Sequence, residues 1–399
     1  MLMTRRARSN VARLPGLDTL RAVAIMAVML YHLRPLLPKS MSVVASFGWM
    51  GVDLFFVLSG YLIGTQLLKP YASGDRPSII SFYRRRAYRI LPAYLIVLWI
   101  YGVFPAWRES AVMPPLWQFL TFTVNLLFVD FSQHAFSHVW SLCVEEHFYL
   151  VFPLLVIWLM RRPSLRKTVI VIGGVILFEI CFRGYMLWPV IAPAGWSGRE
   201  VPEDFGTFYY RYLYYPTYSR LDGLVVGATL ALVRIFRPGW WLWLTRRGHA
   251  AMVLGIALTG AVCWMFRNDG MGDSTRIAGW GTVIGFPLLA AGLGLLVVSS
   301  ASSDGWLSRF SVPGARSLAT LAFSLYLTHK EVAHLDRKWL PVLTASTDWK
   351  AVAVYAVTCL VAAGLLYGLV ERPFMLLRDR FERRAAETVE AEMLREPAL

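Results

Sequence analysis

The chain has 399 residues, 57% of them hydrophobic and only 16% charged, with a mean hydropathy of +0.51. An average soluble domain has roughly 45–50% apolar and 25% charged residues, so a soluble globular protein is excluded. The formal net charge of +15 does not point to nucleic acid either, because many of its Lys and Arg residues stand beside the ends of apolar runs, where membrane topology accounts for them.

Apolar runs bounded by charge, Pro or Gly predict an all-α polytopic transmembrane helical bundle of about ten spans. They lie near 17–37, 48–68, 87–107, 140–160, 168–189, 220–236, 249–267, 279–299, 315–335 and 349–371. Residues 1–375 form the transmembrane domain and 376–399 a charged tail, amphipathic from Phe381. The first run follows Arg5, Arg6, Arg8 and Arg13 as a signal peptide would, but no small-residue cleavage site follows, so it reads as an uncleaved first helix. One alternate set of connections is rich in cations: Lys69 and Arg84–Arg86, then Arg161 to Lys167, Arg246 with Arg247, and Arg372 to Arg384. The opposite set is poorer, and the positive-inside rule then places both termini in the cytoplasm. The longest outer segments are 108–139 and 190–219, and 205–218 reads as an interfacial aromatic segment. The four cysteines lie within or at the edge of apolar runs without CxxC spacing; they read as small core residues and imply no disulfide framework.

A charge at mid-bilayer costs at least ~2.5–3.5 kcal/mol on insertion scales, which makes each ionisable residue inside a span a site candidate. In the first span Arg21 and His32 are eleven residues apart, on one face and separated by roughly 16 Å of helical rise. The second span carries Asp53 near its outer end, where it can orient His32, while Ser59, Gly60 and Gly64 suit close helix packing. Arg84, Arg85, Arg86 and Arg89 crowd the inner mouth of the third, with Arg86 and Arg89 on one face. His138, Ser141, Glu145, Glu146 and His147 cluster at the start of the fourth. Arg220, Asp222, Tyr326, His329, Lys330 and Glu331 add outer-end polar residues.

Two layers result. His32, Asp53, His138, Glu145, Arg220 and His329 populate the outer third, suited to general acid–base chemistry; Arg21, Arg86 and Arg89 populate the inner mouth, suited to phosphate. A long cosubstrate with phosphates at one end and its reactive group at the other would bridge them, and an acyl-coenzyme A has about that reach. Trp140, Tyr209, Tyr210, Tyr214 and Tyr215 could stack on sugars, but most of them read as interfacial belt.

The ordered elements RAVAIMAVMLYH, GVDLFFVLSGYLIG, RAYRILPAY, HVWSLCVEEHFYL, SRLDGL, SLYLTH and LVERPF, over residues 16–375, resemble the acyltransferase-3 family of integral-membrane O-acyltransferases. The resemblance implies transfer of an acyl group, most often acetyl from acetyl-CoA, to a hydroxyl of an extracytoplasmic carbohydrate or glycolipid at the bacterial cytoplasmic membrane. By motif position Arg21 and His32 would be the essential pair of the first helix, Arg86 and Arg89 the RxxR pair, and Ser141 and Glu145 the serine and glutamate of the SLxxExxFY element. The expected site therefore has His32 as general base, with Glu145 or Asp53 orienting it; Arg21, Arg86 and Arg89 on acyl-CoA; and Ser141, His138, Arg220, Tyr326 and His329 toward the acceptor. No metal is expected, since the histidines lack helix-facing HxxxH spacing and no Cys–His cluster exists. Some family members append a soluble esterase-like domain; this sequence shows none, so a second transfer step is expected to need another protein or not to occur. The competing reading is a proton-coupled transporter or flippase, since intramembrane His, Asp, Glu and Arg also build proton paths. Against it stands the absence of an internal repeat; a non-enzymatic membrane sensor or assembly partner is a third reading.

Overall fold

The computed structural model describes residues 15–130, 134–192, 204–268, 279–303, 305–309, 312–344 and 347–395, with backbone alone at 190 and 385–395. Arg5, Arg6, Arg8 and Arg13 lie outside them. Among the described residues the fold is all-α: long helices α1 (Pro15–Leu33), α2 (Met50–Ala72), α3 (Ile79–Val103), α4 (Trp140–Arg161), α5 (Leu165–Ile191), α6 (Asp222–Phe236), α7 (Gly248–Asn268), α8 (Phe286–Ser300), α9 (Ala315–Trp339), α10 (Trp349–Leu366) and α11 (Arg372–Arg395). In hydrocarbon every backbone N–H and C=O must be satisfied within the segment, which is why apolar runs of this length fold as helices. Seven are long and apolar enough to cross a membrane: α1, α2, α4, α5, α7, α8 and α10. The chain is an integral membrane protein. The three other expected spans coincide with α3, α6 and α9; α6 has only 15 residues, whereas α3 and α9 carry charge along their length.

Burial separates an inner from an outer set. Half or more of the apolar window is buried in α1 (56%), α4 (50%) and α8 (67%), against 11% in α5, 22% in α7 and 17% in α10. The outer helices expose Leu177, Phe178, Val253, Leu254, Val361 and Leu365, as lipid-facing surfaces require. At the centre α1 packs on α2, α8 and α9, and α2 on α4 and α6. The α2–α6 contact is the closest: a Cβ on Gly60 would meet the Leu224 carbonyl oxygen at 2.1 Å, and one on Gly227 the Val57 carbonyl oxygen at 2.1 Å. Gly60 and Gly64 thus act in packing as their size suggests, but Ser59 does not: its hydroxyl donates to Glu145 Oε1 at 3.1 Å.

Several boundaries differ from the apolar runs. The first helix stops at Leu33 instead of near 37, tightening into a 3-10 turn at Arg34–Leu36. Pro35 lacks an N–H and Pro38 follows closely, so the α-helical ladder cannot continue; His32 consequently occupies the last turn of α1. The third helix starts at Ile79, capped by Ser78, which accepts from the Ser81 N–H at 3.3 Å. Arg84, Arg85, Arg86 and Arg89 therefore ride on its second and third turns. In the 205–218 segment a short helix (Phe205–Tyr209), a π-turn (Tyr210–Tyr214) and a 3-10 turn pack Tyr209, Tyr214 and Tyr215 into the protein, the last two against Trp140, so these three rings do not face outward as a belt requires. A π-turn at Tyr367–Glu371 leads without a break into α11, and Arg85 on α3 pairs with Glu382 at 3.3 Å. All four cysteines are free, but Cys181 is exposed on α5 and is not a core residue.

Candidate functional site

Two cavities flank the inner helices. The first, of about 140 Å³, is lined by Arg21 of α1, Ser59 of α2, Arg86 and Arg89 of α3, Ser141, Glu145 and Tyr149 of α4 and Tyr326 of α9, with an apolar wall that includes Phe55, Phe56 and Leu62. The helical registers explain the convergence. Arg86 and Arg89 share a face at i, i+3, as do Ser141, Glu145 and Tyr149 at i, i+4 and i+8.

Arg21, Arg86 and Arg89 are half-buried, and among the described residues no carboxylate comes within salt-bridge distance of any of them. Arg86 lies over the Tyr149 ring, 5.0 Å from its centroid. The one carboxylate in the lining, Glu145, is spoken for by the Tyr149 hydroxyl at 2.6 Å and the Ser59 hydroxyl at 3.1 Å. In the lining three guanidinium groups face one carboxylate, while Asp18, Glu146 and Glu371 act on them from outside the lining without ion-pair contact. Glu145 thus lies with the inner arginines, not in the outer layer where its position in the fourth span suggested.

The second cavity, of about 610 Å³ and more open, is lined by His32, Leu33, Pro35 and Leu36 at the end of α1, by Glu109, and by Lys330, Ala333, His334, Arg337 and Lys338 of α9. Lys330 Nζ lies 3.2 Å from Glu109 Oε1 and donates to Ser137 Oγ at 3.0 Å; Glu109 Oε1 also accepts from the Phe136 N–H at 3.0 Å. Burial alone would push the Glu109 carboxyl up, but the Lys330 ammonium beside it holds it below its ordinary value. In the adjacent loop, burial and then Lys330 push His134 down to about 4.

His32 does not touch either carboxylate expected to orient it. Its Nδ1 is 2.9 Å from His329 Nε2. His329 Nδ1 in turn lies 3.1 Å from the Leu325 carbonyl oxygen and 2.9 Å from that of Tyr326. A carbonyl can only accept, so Nδ1 of His329 carries the proton and its Nε2 is an acceptor when the ring is neutral. His32 Nδ1 must then donate, which leaves the lone pair of His32 on Nε2. This proton order follows from the hydrogen-bond network, as tautomers generally must.

The two cavities share no lining residue. Ser141 and Tyr326, which line the first, meet His138, whose ring lies near that of His32 in the second. The Tyr326 hydroxyl donates to the His138 carbonyl, so the Ser141 hydroxyl, 2.8 Å away, must donate to Tyr326. That commits the Ser141 proton to a hydrogen bond. The His138 ring is buried, 6.1 Å from His32 and 5.0 Å from His329 between centroids, and neither ring nitrogen has a partner among the described residues.

Asp53 and Arg220 lie elsewhere. Arg220 Nη2 donates to Asp53 Oδ1 at 2.9 Å, with Arg220 only 1% exposed. Phe286, Tyr214 and Trp140 surround its guanidinium, with ring centroids at 4.0, 4.6 and 5.5 Å. Arg220 is thereby sealed from any acceptor, and Asp53 is occupied where it stands. The aromatic cluster that could have stacked on sugars serves as the wall of this ion pair. The charged pair at the Arg183 side is similar: Arg183 makes a two-pronged contact with Asp222 at 2.7 and 3.1 Å. Sequence reasoning did not single out Tyr149, Glu109 or Arg183, and gave Ser59 only a packing role. Tyr149 was within reach of it, since it follows Glu145 by one helical turn. No group of three or more potential metal ligands occurs among the described residues.

A family profile described as an acyltransferase domain, that of the acyltransferase-3 family, matches residues 14–369. The chain is 29% identical over 233 residues to the O-acetyltransferase OatA of Staphylococcus aureus (strain NCTC 8325 / PS 47), an alignment covering 55% of this chain and 34% of the relative. It is 26% identical over 385 residues to a provisionally named O-acetyltransferase of Staphylococcus aureus (strain COL), covering 90% of this chain and 57% of the relative. The matched regions thus span about a third to somewhat over half of these relatives' own lengths. No solved structure matches.

Proposed function

Because this chain belongs to the acyltransferase-3 family, we propose that it is a membrane O-acetyltransferase. In this reading it moves an acetyl group from cytoplasmic acetyl-CoA, or another short acyl-CoA, to a hydroxyl of a carbohydrate or glycolipid on the far side of a bacterial cytoplasmic membrane. Both termini face the cytoplasm, residues 1–375 form the catalytic membrane domain, and 376–399 form a tail. The observation that carries the reading is the pairing of two incomplete sites. Three guanidiniums, none of them in an ion pair among the described residues, line one cavity, and an imidazole with a free Nε2 lines the other.

Arg21, Arg86 and Arg89 hold the phosphates of the donor, where charge-assisted forks are strongest. The apolar wall accepts the pantetheine arm. The thioester rises toward His32, whose Nε2 takes the proton of the acceptor hydroxyl as its oxygen attacks the thioester carbonyl carbon. The C–S bond breaks, and the proton returns to the leaving thiolate. General-base assistance of this kind contributes about 10²–10⁴-fold. His329 holds the tautomer, the task first assigned to Glu145 or Asp53, and is a positioning residue in place of an acceptor ligand. Glu145 orders Ser59 and Tyr149 at the donor side. Ser141, Tyr326 and His138 form a partition that opens for the thioester to pass.

Purified protein with acetyl-CoA and envelope glycans tests this. The wild type releases free thiol in step with acetylated acceptor, and His32→Ala loses about 10²-fold or more while retaining its level in the membrane. Near-normal turnover in His32→Ala would remove the base from the mechanism. One observation favours a second reading: two cavities with a closed partition are also what alternating access requires. A transporter would move solute without consuming acetyl-CoA.

A further inference from the structure

The outer cavity carries more positive charge than membrane topology explains. The positive-inside rule makes Lys and Arg sparse on the outer side of a membrane protein, yet Lys330, Arg337 and Lys338 line this one mouth together with His334. Every charged group facing it can be accounted for. Glu109 neutralises Lys330, and its Oε1 is further used by the Phe136 N–H. Lys338 Nζ donates to the Ala106 carbonyl at 3.0 Å, which steadies the ammonium without cancelling its charge. Arg337 is exposed and has no ion-pair partner among the described residues. Arg108 near the entrance is spent on the Tyr101 and Gly102 carbonyls at 2.6 and 3.1 Å, again without a counter-charge. Two further acids lie on α9: Asp336 turns away and accepts from the Thr358 hydroxyl of α10 at 2.6 Å, and Glu331 is buried close to Glu109, outside the lining of the mouth. A surplus of fixed positive charge therefore surrounds the His32 imidazole on the side from which an acceptor arrives.

Resting on the acetyltransferase reading above, we propose that the acceptor is anionic. It carries a carboxylate or phosphate that Arg337 and Lys338 hold while the neighbouring hydroxyl is presented to His32. Position along α9 fits this division. Arg337 and Lys338 lie two turns beyond Lys330, about 10 Å of helical rise further out, so an acidic group one sugar away from the reacting hydroxyl reaches them. The same charges act at a distance, raising the local concentration of an anionic glycan at the mouth.

The experiment compares envelope glycans, by fragmenting mass spectrometry, from a strain lacking the protein and from that strain re-supplied with wild type, Arg337→Gln/Lys338→Gln or Arg337→Lys/Lys338→Arg. The expected result is an acetyl increment on a residue that bears, or adjoins, a carboxylate or phosphate. It should fall about tenfold in the neutral double variant, the scale of a lost charge-assisted contact, and be restored in the charge-keeping one. The fragments tell a sugar carboxylate from a phosphate linkage. An acetyl increment on a wholly neutral glycan overturns the proposal. So does a neutral double variant that acetylates normally at normal membrane level, or one that loses only membrane level, since the charges would then serve lipid headgroups. Both outcomes leave O-acetyl transfer standing. Absence of any acetyl increment with the wild type sinks the acetyltransferase reading itself, a distinct result.

Discussion

The protein buries two kinds of arginine, and they differ in what surrounds them. Arg183 and Arg220 are each fixed on a carboxylate, at 2.7 Å from Asp222 and 2.9 Å from Asp53, and walled by aromatic rings. Arg21, Arg86 and Arg89 make no ion pair among the described residues and face a cavity whose one lining carboxylate, Glu145, is held by Tyr149 and Ser59. A charge deep in a membrane protein needs a counter-charge or a polar partner. The first group has its counter-charge in the fold, tying α2, α5 and α6 together. In the proposed reaction the second group takes one from the phosphates of the donor. Position in the sequence does not separate them, since all five look like intramembrane cations; only the partner does.

That difference can be broken from the structural side first. Arg220→Leu leaves Asp53 buried without its partner, and losing half of such a pair costs about 3–5 kcal/mol. Thermal unfolding in detergent should show a large loss, with no change in acetyl-CoA affinity in whatever folded fraction remains. Next in size is His329→Phe, which keeps the volume of a buried ring but removes the acceptor that fixes His32. Its turnover should fall about 10²-fold, since a misplaced or wrong tautomer disables a general base, with KM for acetyl-CoA unchanged. Arg89→Leu sharpens the comparison from the other side. Stability should hold or rise, while KM for acetyl-CoA increases about 10–100-fold, as for a lost charge-assisted hydrogen bond of ~1.5–3 kcal/mol. The smallest effect is expected from Tyr326→Phe, which frees both the Ser141 hydroxyl and the His138 carbonyl. Acceptor-independent hydrolysis of acetyl-CoA should rise several-fold, on the order of one lost hydrogen bond of ~1 kcal/mol; unchanged hydrolysis would mean that the partition does not gate the thioester.

Much of this was legible in the order of residues. The all-α membrane architecture, the Arg86–Arg89 pair and the tight packing at Gly60 and Gly64 follow from helical periodicity and size alone, whereas Arg21 and His32, placed on one face by periodicity, line separate cavities. Depth was less legible. Glu145 read as an outer residue, yet it joins the arginines, because a position within a span says nothing about which neighbouring helix lies beside it at that height. The partner of His32 was hidden for the same reason: His329 is 297 residues away in the chain. Asp53 and Arg220 looked functional because isolated intramembrane charges do, and only their mutual contact shows that they satisfy each other. The early stop of α1 was available in Pro35 and Pro38, but an apolar run continues through them and hides the break.

In the proposed reaction the unpaired arginines hold the donor's phosphates. Calorimetric titration of coenzyme A into the purified protein, wild type beside Arg21→Gln/Arg86→Gln/Arg89→Gln, tests it most directly. The expected result is saturable binding that weakens about 100-fold or more in the triple variant, at an unchanged melting temperature. Equal affinity in the two proteins would contradict it.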